Sequence, residues 1–169
     1  MARRRKEDKV EYFEDLYHHV AGPDATISPL LSGHLAIEFL LRRLAIRYDQ
    51  NLAGIVDQLS HAQLISLNRD LKTISEQQAE FLTRINRIRN KFAHELQYSM
   101  DLQDVSSLFR SAIGVFSDYA DQFENCITEI NATGSLIQLD AGLLSELFLA
   151  IVYDLHQAIV KLGGDDEVP

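Results

Sequence analysis

Apolar residues recur at every third or fourth position along most of this 169-residue chain, which is the spacing that gives a helix one buried face. The pattern therefore predicts an all-α protein. Long helices are predicted over residues 7–20, from residue 28 through the forties, and over 75–96, 101–131 and 140–162. Between residues 49 and 74 the pattern weakens, and it predicts one or two short helices there.

Several predicted helix ends carry residues that satisfy the backbone groups left free at such ends. Ser28 followed by Pro29 is typical of a helix start, because serine caps the first turn and proline is tolerated at the first helical position. Ser60 and Ser75 each precede a glutamine three residues later, which predicts two capping boxes. Gly163 is expected to end the last helix.

The helix that begins at Ser28 is the most apolar of the chain, so we expect it at the centre of a helical bundle. It carries one narrow polar stripe, formed by His34, Glu38 and Arg42 at i, i+4 and i+8. A surface ladder of paired charges is the default interpretation of such a stripe. Alternatively, Glu38 lines a cleft and orients functional side chains on a neighbouring helix.

Metal binding is the weakest interpretation of the same stripe. Di-iron bundles need Glu-x-x-His pairs on facing helices, and zinc proteases need His-Glu-x-x-His; the sequence contains neither of these patterns and no cysteine pair. We therefore expect no metal ion and no cofactor.

Length and composition predict a single domain over residues 1–169, because the hydrophobic content of 46% suffices for one core. A basic tail (1–6) and an acidic tail (163–169) are expected to be disordered. Apolar runs shorter than a membrane span, and an N-terminus without an apolar signal core, predict a cytoplasmic protein with no membrane association. The single cysteine, Cys126, is interpreted as a small core residue.

The predicted helix over 75–96 contains a short segment whose side chains are suited to catalysis. Arg89 falls within the apolar face of this helix, where its aliphatic stem either extends past the core edge or is held in a dry cleft to bind an anion. Asn90 and His94 follow within a turn and a half and add a hydrogen-bonding group and a proton shuttle. Taken alone, His94 is more typical of an exposed helix histidine.

Taken together, the run from Ile85 to His94 resembles the signature of the HEPN superfamily. That signature is an arginine, a polar residue directly after it, and a histidine four to six residues beyond the arginine, and Arg89, Asn90 and His94 occupy these places. The ending Phe-Ala-His resembles the branch that includes the mannitol operon repressor. The resemblance covers roughly residues 30 to 96.

The resemblance implies a HEPN-like bundle of about four core helices with short accessory helices, which assembles into a homodimer. In active members of the superfamily it implies a metal-independent endoribonuclease site built from both subunits, found in toxins, phage-defence factors and RNA-processing enzymes. Other members, including the mannitol repressor-like branch, are non-catalytic regulators or protein-interaction modules. The implied partners are a second copy, RNA, and an antitoxin or regulatory protein.

The spacing of the motif limits how it acts. Arg89 and His94 are five residues apart, so they diverge by about 140° around a regular helix and cannot both grip one phosphate from a straight helix. Either the helix bends, or two subunits face each other across a symmetry axis; we prefer the dimer. His94 is then expected to act as general acid or base, Arg89 to stabilise phosphoryl charge, and Asn90 to position the phosphate or the histidine.

A net charge of −9 argues against a surface that coats nucleic acid generally, because phosphate contacts need positive potential. A local basic cleft is compatible with that total. Arg87 lies just before the motif and Lys91 lies within it, and both are expected to contact RNA, although both residues are also typical of a solvated helix face.

Overall fold

A computed structural model describes residues 28–94, 100–116, 120–134 and 140–164. Within these ranges the protein is an all-α helical bundle without strands, which confirms the predicted fold class. The predicted helix over 7–20, the basic tail and residues 165–169 of the acidic tail lie outside the described residues. The helices are α1 (Ser28–Tyr48), α2 (Ala53–Val56), α3 (His61–Asp70), α4 (Glu76–His94), α5 (Leu102–Ala112), α6 (Ala120–Ala132) and α7 (Ala141–Lys161), with a 3₁₀ turn at Gln50–Leu52.

Helix α1 lies at the centre of the bundle, as its apolar sequence predicts. It packs most extensively on α7 and also contacts α3 and α4. Burial of a leucine or isoleucine side chain contributes about 1.5–3 kcal/mol, so this helix anchors the fold. Gly33 permits the close approach to α7, because a Cβ atom there would lie 2.2 Å from the Phe148 ring. The fully buried side chains of α1 include Ile37, Leu40, Leu41 and Leu44.

A buried amide holds α3 against α1. The Asn68 side chain of α3 is fully buried, and its Nδ2 donates to the carbonyl oxygens of Leu41 in α1 and Leu64, both at 2.9 Å. Its Oδ1 accepts a hydrogen bond from Thr73 Oγ1 at 2.8 Å. A buried amide with its polar groups satisfied fixes one orientation of the two helices.

The two predicted capping boxes are confirmed, and they fix where α3 and α4 begin. The Gln63 backbone N–H donates to Ser60 Oγ, while the Ser60 backbone N–H donates to the Gln63 side chain. Ser75 and Gln78 make the same reciprocal pair. Because Ser60 caps α3, His61 becomes the first residue of that helix.

The single helix predicted over residues 101–131 is wrong. Helix α5 ends at Ala112, and Gly114 adopts a φ of +76°, a left-handed conformation that stops a right-handed helix. The chain resumes its helical course in α6 from Ala120, which packs against α5. The apolar register is similar on both sides of the break, so periodicity alone suggested one long helix.

Helix α7 confirms the last predicted helix, with Asp140 as its N-cap. By length and composition alone, its segment Gly142–Lys161 is apolar enough to cross a membrane, but 56% of the tested window is buried inside the protein. A buried core helix passes the same test, and α7 packs on α1. Cys126 of α6 is buried, as expected for a core residue.

Candidate functional site

The polar stripe of α1 lies at the junction with α3. Arg42 Nη2 donates to Glu38 Oε1, and Arg42 Nε donates to the carbonyl oxygen of Val56 at 3.4 Å. The pairing expected at i, i+4 is thus present. It is not a surface ladder, because His34 is only 4% exposed and the Glu38 side chain only 21%.

Helix α3 adds a second imidazole to this stripe. His61 Nδ1 lies 3.5 Å from Glu38 Oε2, and His34 Nε2 lies 3.8 Å from the same oxygen. The two imidazole rings stack with their centroids 3.9 Å apart and their planes inclined by 22°. We refer to His34, Glu38 and His61 as the His–Glu cluster.

The imidazole nitrogens of the His–Glu cluster are poorly satisfied. His34 Nδ1 and both nitrogens of His61 are buried and have no hydrogen-bond partner among the described residues. The approach of His61 Nδ1 to Glu38 at 3.5 Å is therefore an electrostatic contact and not a well-formed hydrogen bond. A buried nitrogen without a partner costs about 1–3 kcal/mol, so a cluster of this kind is typical of a site that binds something.

The charge states within the cluster follow from its contacts. The contact with His61 and the hydrogen bond and charge of Arg42 lower the pKa of Glu38 to about 2, against the opposing effect of burial. Burial lowers the pKa of His34 to about 4, and the charges of His61 and Arg89 add to this effect while Glu38 opposes it. At neutral pH the cluster therefore holds a carboxylate and a neutral His34 imidazole.

Acidification is expected to destabilise the protein through His34. The pKa of this imidazole falls from 6.5 to about 4 on folding, so between these values the unfolded chain binds a proton that the folded protein does not. The free energy of unfolding should be unaffected above pH 6.5 and fall by on the order of 3 kcal/mol as the pH drops through the window. Urea denaturation at a series of pH values, in chelator-treated buffer, measures this slope.

The control for this prediction is a matched pair of histidine variants. His34→Gln removes the titrating group and should flatten the stability curve between pH 6.5 and about 4. His94→Gln changes an exposed histidine and should keep the wild-type slope. Equal slopes for the wild type and His34→Gln would contradict the assignment to His34. Glu38 contributes at lower pH, because its depressed pKa means that its stabilisation is lost from about 4.5 down to about 2.

Arg89 of α4 lies partly buried beside this cluster. Its Nη1 donates to the Asn90 side chain at 3.2 Å, while its Nε is buried without a hydrogen-bond partner in the described part of the chain. Its charge reaches His34, whose pKa it helps to lower. The arginine predicted within the apolar face of α4 thus has its stem in the bundle and its charge close to the α1–α3 junction.

The remaining motif residues lie on the exposed side of α4. Asn90, Lys91 and His94 are exposed, and α4 remains helical through His94. Arg87 is also exposed and lines a groove between α3 and α4. The structure therefore brings Arg89 and Asn90 together and leaves His94 at the last residue of the described helix, in solvent.

Glu38 has a place that the sequence suggested only in part. It was expected either in a surface ladder or beside the motif, and its described contacts are with Arg42, His34 and His61. Of these three residues, His34 also feels the charge of Arg89, which helps to lower its pKa. Sequence reasoning missed His61, whose only signal was its position after the Ser60 cap. No family model, curated protein or solved structure matches this chain.

Proposed function

We propose that this protein is a metal-independent endoribonuclease of the HEPN type, with a role in RNA processing, phage defence or as a toxin in the cytoplasm. The observation that carries the proposal is Arg89, a partly buried cation beside the His–Glu cluster that shares a helix with Asn90 and His94. An arginine anchored by its stem can present its donors to a phosphate group without the freedom of a surface side chain.

In this reaction a ribose 2′-hydroxyl attacks the adjacent phosphorus and the bond to the leaving 5′-oxygen breaks. His94 removes the proton from the nucleophile or returns one to the leaving oxygen, and Arg89 stabilises the negative charge on the phosphoryl oxygens. The products are a 2′,3′-cyclic phosphate and a 5′-hydroxyl. DNA lacks the nucleophile and is not cleaved.

Asn90 has a positioning role in this scheme. It accepts a hydrogen bond from Arg89 Nη1 at 3.2 Å, which orients the guanidinium at its exposed end. Planar donors held in this way suit two oxygens of one phosphate better than a rotating ammonium does. Exposed Arg87 and Lys91 each lie two residues from the motif arginine along α4 and supply contacts to the RNA backbone.

The active unit in this proposal is a homodimer in which each subunit contributes part of the site. Helix α4 is regular through His94, so Arg89 and His94 diverge around it and a second subunit supplies the missing group. Apolar surface next to the His–Glu cluster supports self-association. Leu31 and Leu35 of α1 are 41% and 55% exposed, and their helix face continues into Glu38.

The Leu35→Glu variant is expected to be monomeric at micromolar concentration, because the carboxylate would be buried without a partner in the interface. Sedimentation velocity of the wild type and the variant measures the change. The matched control is Ile55→Glu, which alters a similarly exposed residue (52%) on α2 and should leave the dimer intact. A monomeric wild type, or a dimeric Leu35→Glu variant, contradicts this interface.

The decisive experiment for the activity is incubation of purified protein with mixed RNA in excess chelator. Cleavage that leaves 2′,3′-cyclic phosphate ends, and that spares DNA of the same sequence, supports the proposal. A wild-type protein that is inert towards diverse RNAs contradicts it and favours a non-catalytic HEPN-like regulator that binds another protein. The RNAs that are cut in cells would identify the substrate.

A further inference from the structure

The His–Glu cluster brings three potential metal-ligand atoms close together. Glu38 Oε2 is the oxygen that both imidazoles approach, His34 offers Nε2, and His61 offers Nδ1. One ligand atom from each residue lies within 4.8 Å of the other two. Helix α1 supplies two of these residues one turn apart, and the capped start of α3 supplies the third.

We infer that His34, Glu38 and His61 bind one transition-metal ion of the zinc class, which joins α1 to α3. Two imidazole nitrogens and one carboxylate oxygen form a donor set that suits zinc and disfavours magnesium or calcium, which prefer oxygen ligands. Three protein ligands leave a fourth position for water or an anion. This site is separate from the proposed ribonuclease chemistry, in which no metal takes part.

The residues around the cluster orient its carboxylate for this role. Arg42 occupies Oε1 of Glu38 and is itself anchored on the carbonyl oxygen of Val56, so Oε2 is left for the imidazole side. Such outer contacts hold a metal-binding carboxylate in one orientation. Of the cluster's three buried imidazole nitrogens without a hydrogen-bond partner in the described chain, His61 Nδ1 is a proposed ligand atom that the ion would satisfy, whereas His34 Nδ1 and His61 Nε2 are not ligand atoms in this arrangement.

Metal binding requires a small rearrangement of the rings. Ligand atoms on a tetrahedral zinc ion are separated by about 3.3 Å, whereas Glu38 Oε2 lies 3.5 Å from His61 Nδ1 and 3.8 Å from His34 Nε2. The rings now stack face to face, and both lone pairs converge on one ion only when the imidazoles rotate. Loss of the stack is therefore part of the expected binding event.

Two arginines influence the affinity of the site and its fourth ligand. Arg42 neutralises Glu38 at Oε1, and the charge of Arg89 acts on His34. Both positive charges disfavour the binding of a metal cation at the cluster, but they favour an anion such as hydroxide or chloride at the open coordination position. We therefore expect the metal ion to carry a bound anion, and we expect the protein to hold this metal ion more weakly than a site without nearby cations would.

Titration with Co²⁺ tests the site, because this ion replaces zinc and absorbs visible light strongly when it is four-coordinate. The full chain, freed of any affinity tag and of metal by chelator and dialysis, is expected to bind one equivalent, which Zn²⁺ then displaces. Glu38→Gln keeps the shape of the side chain, and His61→Ala removes an imidazole. Each variant should weaken binding by at least about tenfold, which is the smaller of the losses seen when residues that only support metal ligands are changed. Circular dichroism checks that both variants remain helical.

The matched control removes three of the four histidines outside the cluster and keeps the buried His156. The triple variant His18→Ala/His19→Ala/His94→Ala should bind Co²⁺ like the wild type, because it leaves the three ligands in place. Loss of binding in this variant overturns the inference. Unchanged binding by the folded Glu38→Gln and His61→Ala variants overturns it as well.

A measurement on the wild type avoids any effect of substitution on folding. One equivalent of Zn²⁺ should shift the imidazole NMR signals of His34 and His61 and leave those of His94 in place. Shifts confined to other histidines would refute the site. Neither readout involves RNA, so this inference can fail while the ribonuclease assay in chelator succeeds, and the reverse is equally possible.

Discussion

Replacement of His94 by alanine is expected to reduce RNA cleavage by a factor of about 10² to 10⁴, the usual loss for one positioned acid or base. His94 is exposed at the end of α4, so its removal leaves no cavity in the core and should change stability by about 0.5 kcal/mol or less. Initial rates on a labelled RNA in excess chelator, with urea unfolding of the same samples, measure both quantities.

The matched control is Gln77→Ala, an exposed and uncharged position at the start of the same helix, which should cleave at the wild-type rate. Undiminished cleavage by His94→Ala would mean either that another group moves the proton or that a contaminating nuclease produces the signal. Because the assay is run in excess chelator, such a contaminant would be a metal-independent nuclease, and its activity would not follow the protein through a further purification step. The first outcome removes His94 from the mechanism, and the second removes the evidence that this protein cleaves RNA.

Much of the bundle could be predicted because its determinants are local in the sequence. Serine caps at Ser60 and Ser75 carry their partner glutamines three residues later, so the starts of α3 and α4 follow from a few neighbouring residues. The apolar circumference of α1 likewise implied its central position. Local rules of this kind need no knowledge of which helix packs on which.

The break between α5 and α6 shows where local rules fail. Apolar residues continue in helical register across it, and Gly114 was the only warning in the sequence. A glycine inside a helical pattern is tolerated or left-handed depending on how the flanking helices pack, which is a tertiary property. Here α6 packs on α5, and Gly114 has a positive φ in the segment that directly follows α5.

The candidate site, like the fold, was predictable only where local spacing determines it. Helical spacing alone placed His34, Glu38 and Arg42 on one stripe of α1. The third member of the His–Glu cluster, His61, comes from α3, and it meets Glu38 because the buried Asn68 fixes α3 on α1. No spacing rule connects residues that are brought together by the packing of two helices. The proposed metal-ligand set therefore could not be predicted from the sequence.

Substitution of Arg89 by lysine is expected to reduce cleavage by about 10² to 10³, similar to the loss of one donor that stabilises transition-state charge. Lysine retains the positive charge near His34 and a long aliphatic stem, so the environment of the His–Glu cluster changes little. It lacks the planar fork of donors that one phosphate group and Asn90 would share. The loss should therefore appear in kcat/KM, with little change in the urea midpoint.

The nearby Arg87→Lys variant is the matched control, because Arg87 is exposed on the same helix and acts only as a backbone contact in this scheme. It should lose little activity, and the loss should shrink at low salt, since the effect is one of general attraction to phosphate. Equal losses of activity in the two variants would mean that Arg89 acts through its charge alone. Unfolding of Arg89→Lys would instead assign its guanidinium to the stability of the bundle, and the proposed reaction would lose the residue on which it depends.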